Sequence, residues 1–371
     1  MRLSRVWRWI PGWVVSVIVV PITSVVLGFL VAAIAIVANG VDPSAAYLAL
    51  FQGAFTNNNA FAETLVSSVP YIFLGLGVAL GFRAGLFNIG AEGQFYIGAL
   101  AGVYVAYSIH GLPPLVEIPL ALLAAMAAGF VYAGIAGFLK AQTGAHEVIT
   151  TIMLNYVAFL IANYLVTTPG LMKDPLSRTP RTPYIDVNAT LPVIFPNSRL
   201  HAGFLLALLA VPLVWFLIER TTLGFRLRAV GFNAGASRAA GISVARTTVL
   251  AMGISGALAA TAGIVQMLGI QHDMTPAVAA GYGFDAIAVA LLARSNPWAI
   301  LPAALLFGAL HNGASFMQLQ TQVSSDLISI VQASVIVFVA APEIIRWLLR
   351  IRGHQVAAVA ITQREGVTPA V

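Results

Sequence analysis

Cysteine is absent from this 371-residue chain, which excludes a disulfide framework and any thiolate metal centre. Charge is scarce: Asp, Glu, Lys and Arg make up 9% of the residues, where an ordinary soluble domain carries about 25%. Lysine is nearly missing. Lys140 and Lys173 follow Leu139 and Met172, so no Gly-Lys-Ser/Thr loop exists to cradle a nucleotide's phosphates. The patterns GxSxG and HExxH do not occur, and the six histidines stand one at a time, leaving no hydrolase signature. His146 and Glu147 adjoin in "TGAHEVITT". Neighbours on a helix diverge by about 100 degrees, so this pair reads as the polar start of a helix at the cytoplasmic surface and not as one site face. The chain offers no catalytic residues, and no cofactor or metal is expected.

What it has is apolar length. With 59% hydrophobic residues and a mean hydropathy of +0.90, it cannot clothe a water-facing surface. Runs near the roughly 20 residues that cross a bilayer recur from end to end. They predict an all-α polytopic transmembrane helix bundle of ten spans: 12–38, 64–82, 86–109, 114–139, 147–166, 202–219, 247–268, 284–293, 298–317 and 326–345. The eighth is short enough to be broken or re-entrant. With the amino terminus in the cytoplasm, only Lys173, Arg178, Arg181 and Arg199 of the 19 basic residues fall outside. That bias fits the positive-inside rule and puts both termini in the cytoplasm. It also accounts for the net charge of +6, so no nucleic-acid partner is needed. The first apolar run exceeds the 7–15 residues of a cleaved signal and reads as a retained helix. The outside loop from Thr167 to His201 holds six prolines and should be irregular. Residues 1–352 then form one transmembrane domain and 353–371 a short cytoplasmic tail.

Two stretches stand out. "GLFNIGAEGQFYIGALAG", 85–102, places a lone carboxylate, Glu92, among glycines and apolar residues. Burying it is costly unless it has a partner or a task. Gly85 suits a left-handed turn, Asn88 suits the N-cap of a helix from Ile89, and Glu92 then falls near the positive end of that helix. Asn88, Glu92, Gln94 and the second membrane acid, Asp285 in "GYGFDAIAVALLA", are the candidate pathway or gate residues. Capping and packing are the alternative roles. Small residues at Gly77 and Gly81, at Gly98 and Gly102, at Gly129, Ala133 and Gly137, and at Gly256, Ala260 and Gly263 favour close helix contact. The second stretch, 219–247, is a cytoplasmic loop with five arginines. Asn233 suits the N-cap of a short helix over "AGASRAA" that stops at Gly241. Such an element can dock a soluble partner.

"GLFNIGAEGQFYIGA", "TTLGFRLRAVGFNAGASRAAGIS" and "GYGFDAIAVALLARSNPWAILPAALLFGAL" together resemble the permease subunits of bacterial ABC importers. The likeness is to the branched-chain amino acid, ribose and nucleoside branch, nearest the nucleoside and simple-sugar group, and it runs from Glu63 to Trp347. The resemblance implies a multi-pass protein of the bacterial inner membrane, embedded in lipid. Its partners would be an ABC ATPase subunit, a second and homologous permease, and an extracytoplasmic substrate-binding protein. Arg226, Arg228, Gly231, Asn233, Arg238 and Gly241 would couple to the ATPase. The chain departs from the expected pattern at Phe232 and Gly235. A nucleoside is the first expectation for the solute, a sugar the second. Phe87, Phe95, Tyr96 and Tyr104 could stack on a base, or merely pack. The rival readings are a secondary transporter with Glu92 or Asp285 as its ion site, and a membrane scaffold that moves nothing.

Overall fold

The computed structural model describes residues 20–38, 40–276 and 281–321, with isolated pairs at 329–330, 333–334 and 337–338. The start of the first predicted span, most of the tenth and the tail 353–371 lie outside the described residues. The helices, in chain order, are α1 (Val20–Ala38), α2 (Pro43–Phe55), α3 (Asn58–Arg83), α4 (Ala91–Ser108), α5 (Pro114–Thr143) and α6 (Glu147–Thr167). There follow α7 (Gly203–Arg220), α8 (Thr222–Phe232), α9 (Ala234–Ala239), α10 (Val244–Gln266), α11 (Tyr282–Leu292) and α12 (Pro297–Thr321). Among the described residues there is no strand, only an isolated bridge between Val193 and His201.

The described helices show the all-α bundle but not the count of ten spans. Six of them are long and apolar enough to cross a membrane: α3, α5, α6, α7, α10 with its π-helical extension to Gln271, and α12. The polar first turn of α4, with Glu92 and Gln94, dilutes its apolar run, and α11, at 11 residues, is too short. No expected span covers α2. Asp42 caps it, accepting from the Ser44 amide at 2.9 Å, and Pro43 opens its first turn, where a missing N–H costs nothing. Asn312 of α12 clamps α2 to α3, donating to the carbonyls of Gly53 and Ala60 at 3.0 Å each.

Two helices form the centre. In α3 the membrane window is 83% buried and in α10 78%, whereas α5, α6 and α7 bury only 28%, 22% and 33%. Helices apolar all round belong in an interior; the outer three present Leu123, Val131, Leu160 and Leu209 outward. With lipid as apolar as leucine, close backbone approach drives helix association. The predicted small residues supply it: a methyl added to Gly98 or Gly129 would run into Ala260, one on Gly256 into Ala133, and one on Gly77 would meet the Ser255 carbonyl at 2.7 Å. The proline-rich segment 168–201 has no regular element longer than the 3-10 turn Val187–Ala189. It is pinned by the Arg181 pairs to Asp174 at 3.3 Å and Asp273 at 3.5 Å.

Candidate functional site

The site begins where α3 ends. Gly85 takes a left-handed φ of 71°, and the chain then runs extended to a helix that starts at Ala91, not Ile89. Asn88 is not its cap. Gly90 holds that position without any side-chain cap bond, while the buried Asn88 turns into the protein. Its Nδ2 donates to Gln94 Oε1 and Ser255 Oγ, each at 2.9 Å, and its Oδ1 accepts from the Gly90 amide at 2.9 Å. Ser255 in turn donates to the Gly77 carbonyl at 2.7 Å. Asn88 and Gln94 thus lock α3, α4 and α10 together.

The delayed helix start has a cause on α6. Glu147, Thr151 and Asn155 lie four residues apart, on one face of that helix, and satisfy the extended backbone. The Phe87 amide reaches Glu147 at 3.4 Å and the Ile89 amide Thr151 at 3.3 Å. Asn155 accepts from the Gly93 amide at 2.8 Å and donates to the Ile89 carbonyl at 2.9 Å. Glu147 is itself paired to Lys140 at 2.5 Å. His146 comes within 3.9 Å of the same carboxylate, contrary to the expected divergence. It is the N-cap, with extended backbone, so helical spacing does not govern it.

Glu92 does not serve its own helix alone. It is 1% exposed, and its carboxylate reaches across to α11, accepting from the amides of Gly281 at 3.0 Å and Gly283 at 2.5 Å. Gly281 has φ 88°, and a Cβ on Gly283 would collide with the Glu92 backbone. A glycine pair is what allows an acid on one helix to cap another. Asp285, in the first turn of α11, accepts from the Tyr71 hydroxyl at 3.1 Å. Tyr282 adds a hydroxyl 3.3 Å from His311 Nε2. The rings of Tyr71 and Tyr282 meet edge to face with centroids 5.3 Å apart, and Phe95 stacks on Tyr282 at 6.2 Å. The fold therefore gathers Glu92 and Asp285 at one helix start, with hydroxyls, an imidazole and aromatic faces around them. Among the described residues no basic side chain pairs with either acid. Of the other aromatics, Tyr96 packs on Phe159 at 4.9 Å, while Phe87 and Tyr104 are exposed.

The arginine-rich stretch is two helices. The unforeseen α8 is capped by Thr221, which accepts from Gly224 at 3.0 Å. Asn233 caps α9 as expected, accepting from Ala236 at 2.9 Å, and Gly241, at φ 81°, follows its end. Arg226 and Arg238 are exposed. Arg228 instead pairs with Glu219 at 2.5 Å, and Glu219 also holds Arg83 at 3.3 Å. Phe232, where the sequence departs from the expected pattern, is 94% exposed. Gly231 presses on the turn at the end of α3: its Cα lies 2.9 Å from where a Cβ on Gly85 would stand. α8 therefore rests on the turn that leads into the Glu92 segment.

Sequence reasoning missed Tyr71, Thr151, Asn155, Ser255, Tyr282 and His311. A signal for two of them was present, since polar residues at 147, 151 and 155 make one stripe along an otherwise apolar helix.

Comparison with known proteins gives the family of the chain. Residues 60–340 match the family described as branched-chain amino acid transport system / permease component. The chain is 39% identical to the guanosine ABC transporter permease protein NupP of Bacillus subtilis, over 90% of this chain and 96% of that protein. It is 37% identical to a glucose ABC transporter permease protein of Haloferax volcanii, over 91% and 90%. With the nucleoside ABC transporter permease protein NupB of Lactococcus lactis it shares 35%, over 94% and 97%. No solved structure matches.

Proposed function

This chain belongs to the family of branched-chain amino acid transport system permease components, and from that membership we propose how it works and what it carries. It is a multi-pass permease subunit of an ABC importer. In our reading it pairs with a second, homologous permease and takes a nucleoside from an extracytoplasmic binding protein, with a simple sugar as the alternative solute. An ABC ATPase on the cytoplasmic face supplies the energy. The names of the similar permeases, two for nucleosides and one for glucose, support this solute class. So does the chemistry beside Glu92, where the half-buried Asp285 and His311 can bond hydroxyls and ring nitrogens.

The observation that carries the mechanism is the joint between α4 and α11, where Glu92 holds the amides of Gly281 and Gly283. A permease does no chemistry; it needs elements with two discrete packings, biased by a partner. Glu92 is such an element's latch. Arg226, Arg238 and the exposed Phe232 meet the ATPase. Arg228, bound to Glu219, holds α8 against the body. Motion of α8 passes through the Gly231–Gly85 contact into the segment that ends at Glu92, while Asn88 and Gln94 keep that segment in step with α10. Asn233 and Gly241 fix the ends of α9.

The test is uptake into proteoliposomes holding both permeases and the ATPase, with the binding protein outside. Labelled guanosine should accumulate with ATP inside and persist when the proton gradient is collapsed. Glucose uptake with no guanosine uptake would move the assignment to the sugar. Uptake that stops on collapsing the gradient, with ATP still supplied, would overturn the importer mechanism.

A further inference from the structure

The short helix α11 is held at both ends by one stretch of chain. At its start the amides of Gly281 and Gly283 donate to Glu92. At its end Arg83 Nε donates to the Ser295 carbonyl at 3.1 Å. Ser295 is itself fastened to the last turn of the helix, its amide donating to the Ala290 carbonyl at 2.9 Å, as the Arg294 amide does to the Leu291 carbonyl. Arg294 and Ser295 have left-handed backbone, with φ 52° and 55°, a region that residues with a side chain keep only where their surroundings hold them. A pull on the Ser295 carbonyl therefore acts on the helix end and not on a slack loop.

The two grips come from either side of the Gly85 turn. Along α3 the contacts with α11 run in parallel: the Tyr71 hydroxyl bonds Asp285, a Cβ on Gly75 would meet Val289 at 3.0 Å, and Arg83, the last residue of α3, reaches Ser295. The chain then doubles back and brings Glu92 to the start of α11. Arg83 is the grip that α8 reaches. Its Nη2 lies 3.3 Å from Glu219 in the last turn of α7, and Glu219 also takes Arg228 of α8. A Cβ on Gly231 of α8 would collide with the Arg83 carbonyl.

We propose that Arg83 is a positioning residue for transport: with Glu92 it clamps α11 at both ends, so that a shift of α8 moves this helix as one body. The proposal rests on the importer reading above and adds a second link to it. Charge balance alone does not call for Arg83, because Glu219 already has Arg228. What Arg83 adds is the bond to Ser295. A guanidinium presents its donors as a fixed fork, which lets one side chain hold α7 and the end of α11 at once. Without that bond a displaced α8 would act on α11 only through Glu92, and the far end of the helix would lag.

Arg83→Gln removes the fork. In the reconstituted importer the ATPase should still co-purify, while solute taken up per ATP hydrolysed, with guanosine or glucose according to which the wild type carries, should fall at least about fivefold, the low end of coupling between distant sites. A loss of folded protein lowers uptake and hydrolysis alike, so the ratio separates positioning from stability. If Arg83→Gln does not fold, Glu219→Gln keeps the side chain's size and leaves Arg83 on Ser295 while releasing α8, and the ratio should fall by the same factor. Where both fold, the double variant should fall no further than the lower single variant, because both cut one link. A wild-type ratio in folded Arg83→Gln or Glu219→Gln, or losses that multiply in the double variant, overturns the clamp and leaves the importer reading standing. Wild-type uptake that needs no ATP overturns both.

Discussion

The start of α4 and the pair α8–α9 are both polar interruptions in an apolar chain, and they are built in opposite ways. Around Glu92 the polar groups find partners within the protein, from α6, α10 and α11. On α8 and α9 only Arg228 is held, while Arg226, Arg238 and Phe232 face outward. The lesson is one of cost. Polar groups inside a membrane protein must be satisfied internally, so a moving part there consists of bonds that exchange partners. A cytoplasmic surface can leave charges open and wait for a partner. Gly231 against Gly85 is where one kind of surface touches the other.

The comparison breaks most severely at Glu92→Leu. Both glycine amides lose their acceptor, and each unsatisfied buried group costs about 1–3 kcal/mol, so folded yield in detergent should fall sharply. Asn155→Ala comes next, since it orphans the Gly93 amide and the Ile89 carbonyl; a loss of about 1–3 kcal/mol should appear as a lower melting temperature, with the ATPase still bound. Gly231→Val drives a side chain into the Arg83 carbonyl. Overpacking costs about 1–3 kcal/mol, but here it should shift the α3–α4 turn and reduce uptake per ATP hydrolysed more than it lowers stability. The mildest change in the fold is Arg226→Ser with Arg238→Ser. Insertion and melting should stay wild type while co-purification of the ATPase weakens. Adding Arg228→Ser, which breaks its pair with Glu219, should cost up to about 1 kcal/mol of stability. Unchanged ATPase binding in the triple variant would remove the docking role.

Much of the helical layout was legible in the sequence, because apolar length and caps are local. The ends of α5, α6 and α7 fall within four residues of expectation, and Asn233 and Gly241 bound α9 as read. Local signals failed where a distant element decides. Asn88 has the composition of a cap, yet α6 already satisfies the backbone that a helix from Ile89 would have used, and Ser255 and Gln94 take its side chain. Glu92 could be placed near a helix start but not assigned to α11, whose glycines lie some 190 residues away. The short α2 lacks the length that marks a span, and α8 hides among arginines because a partly exposed amphipathic helix leaves a weak apolar pattern.

The latch proposed at Glu92 is tested most directly by Glu92→Gln, measured as the ratio of guanosine taken up to ATP hydrolysed in the reconstituted importer. Glutamine keeps the size and one acceptor but replaces charge-assisted bonds with neutral ones, a difference of about 1–2 kcal/mol. The variant should fold and hydrolyse ATP while that ratio drops about tenfold. A wild-type ratio in a correctly folded Glu92→Gln permease would contradict the account.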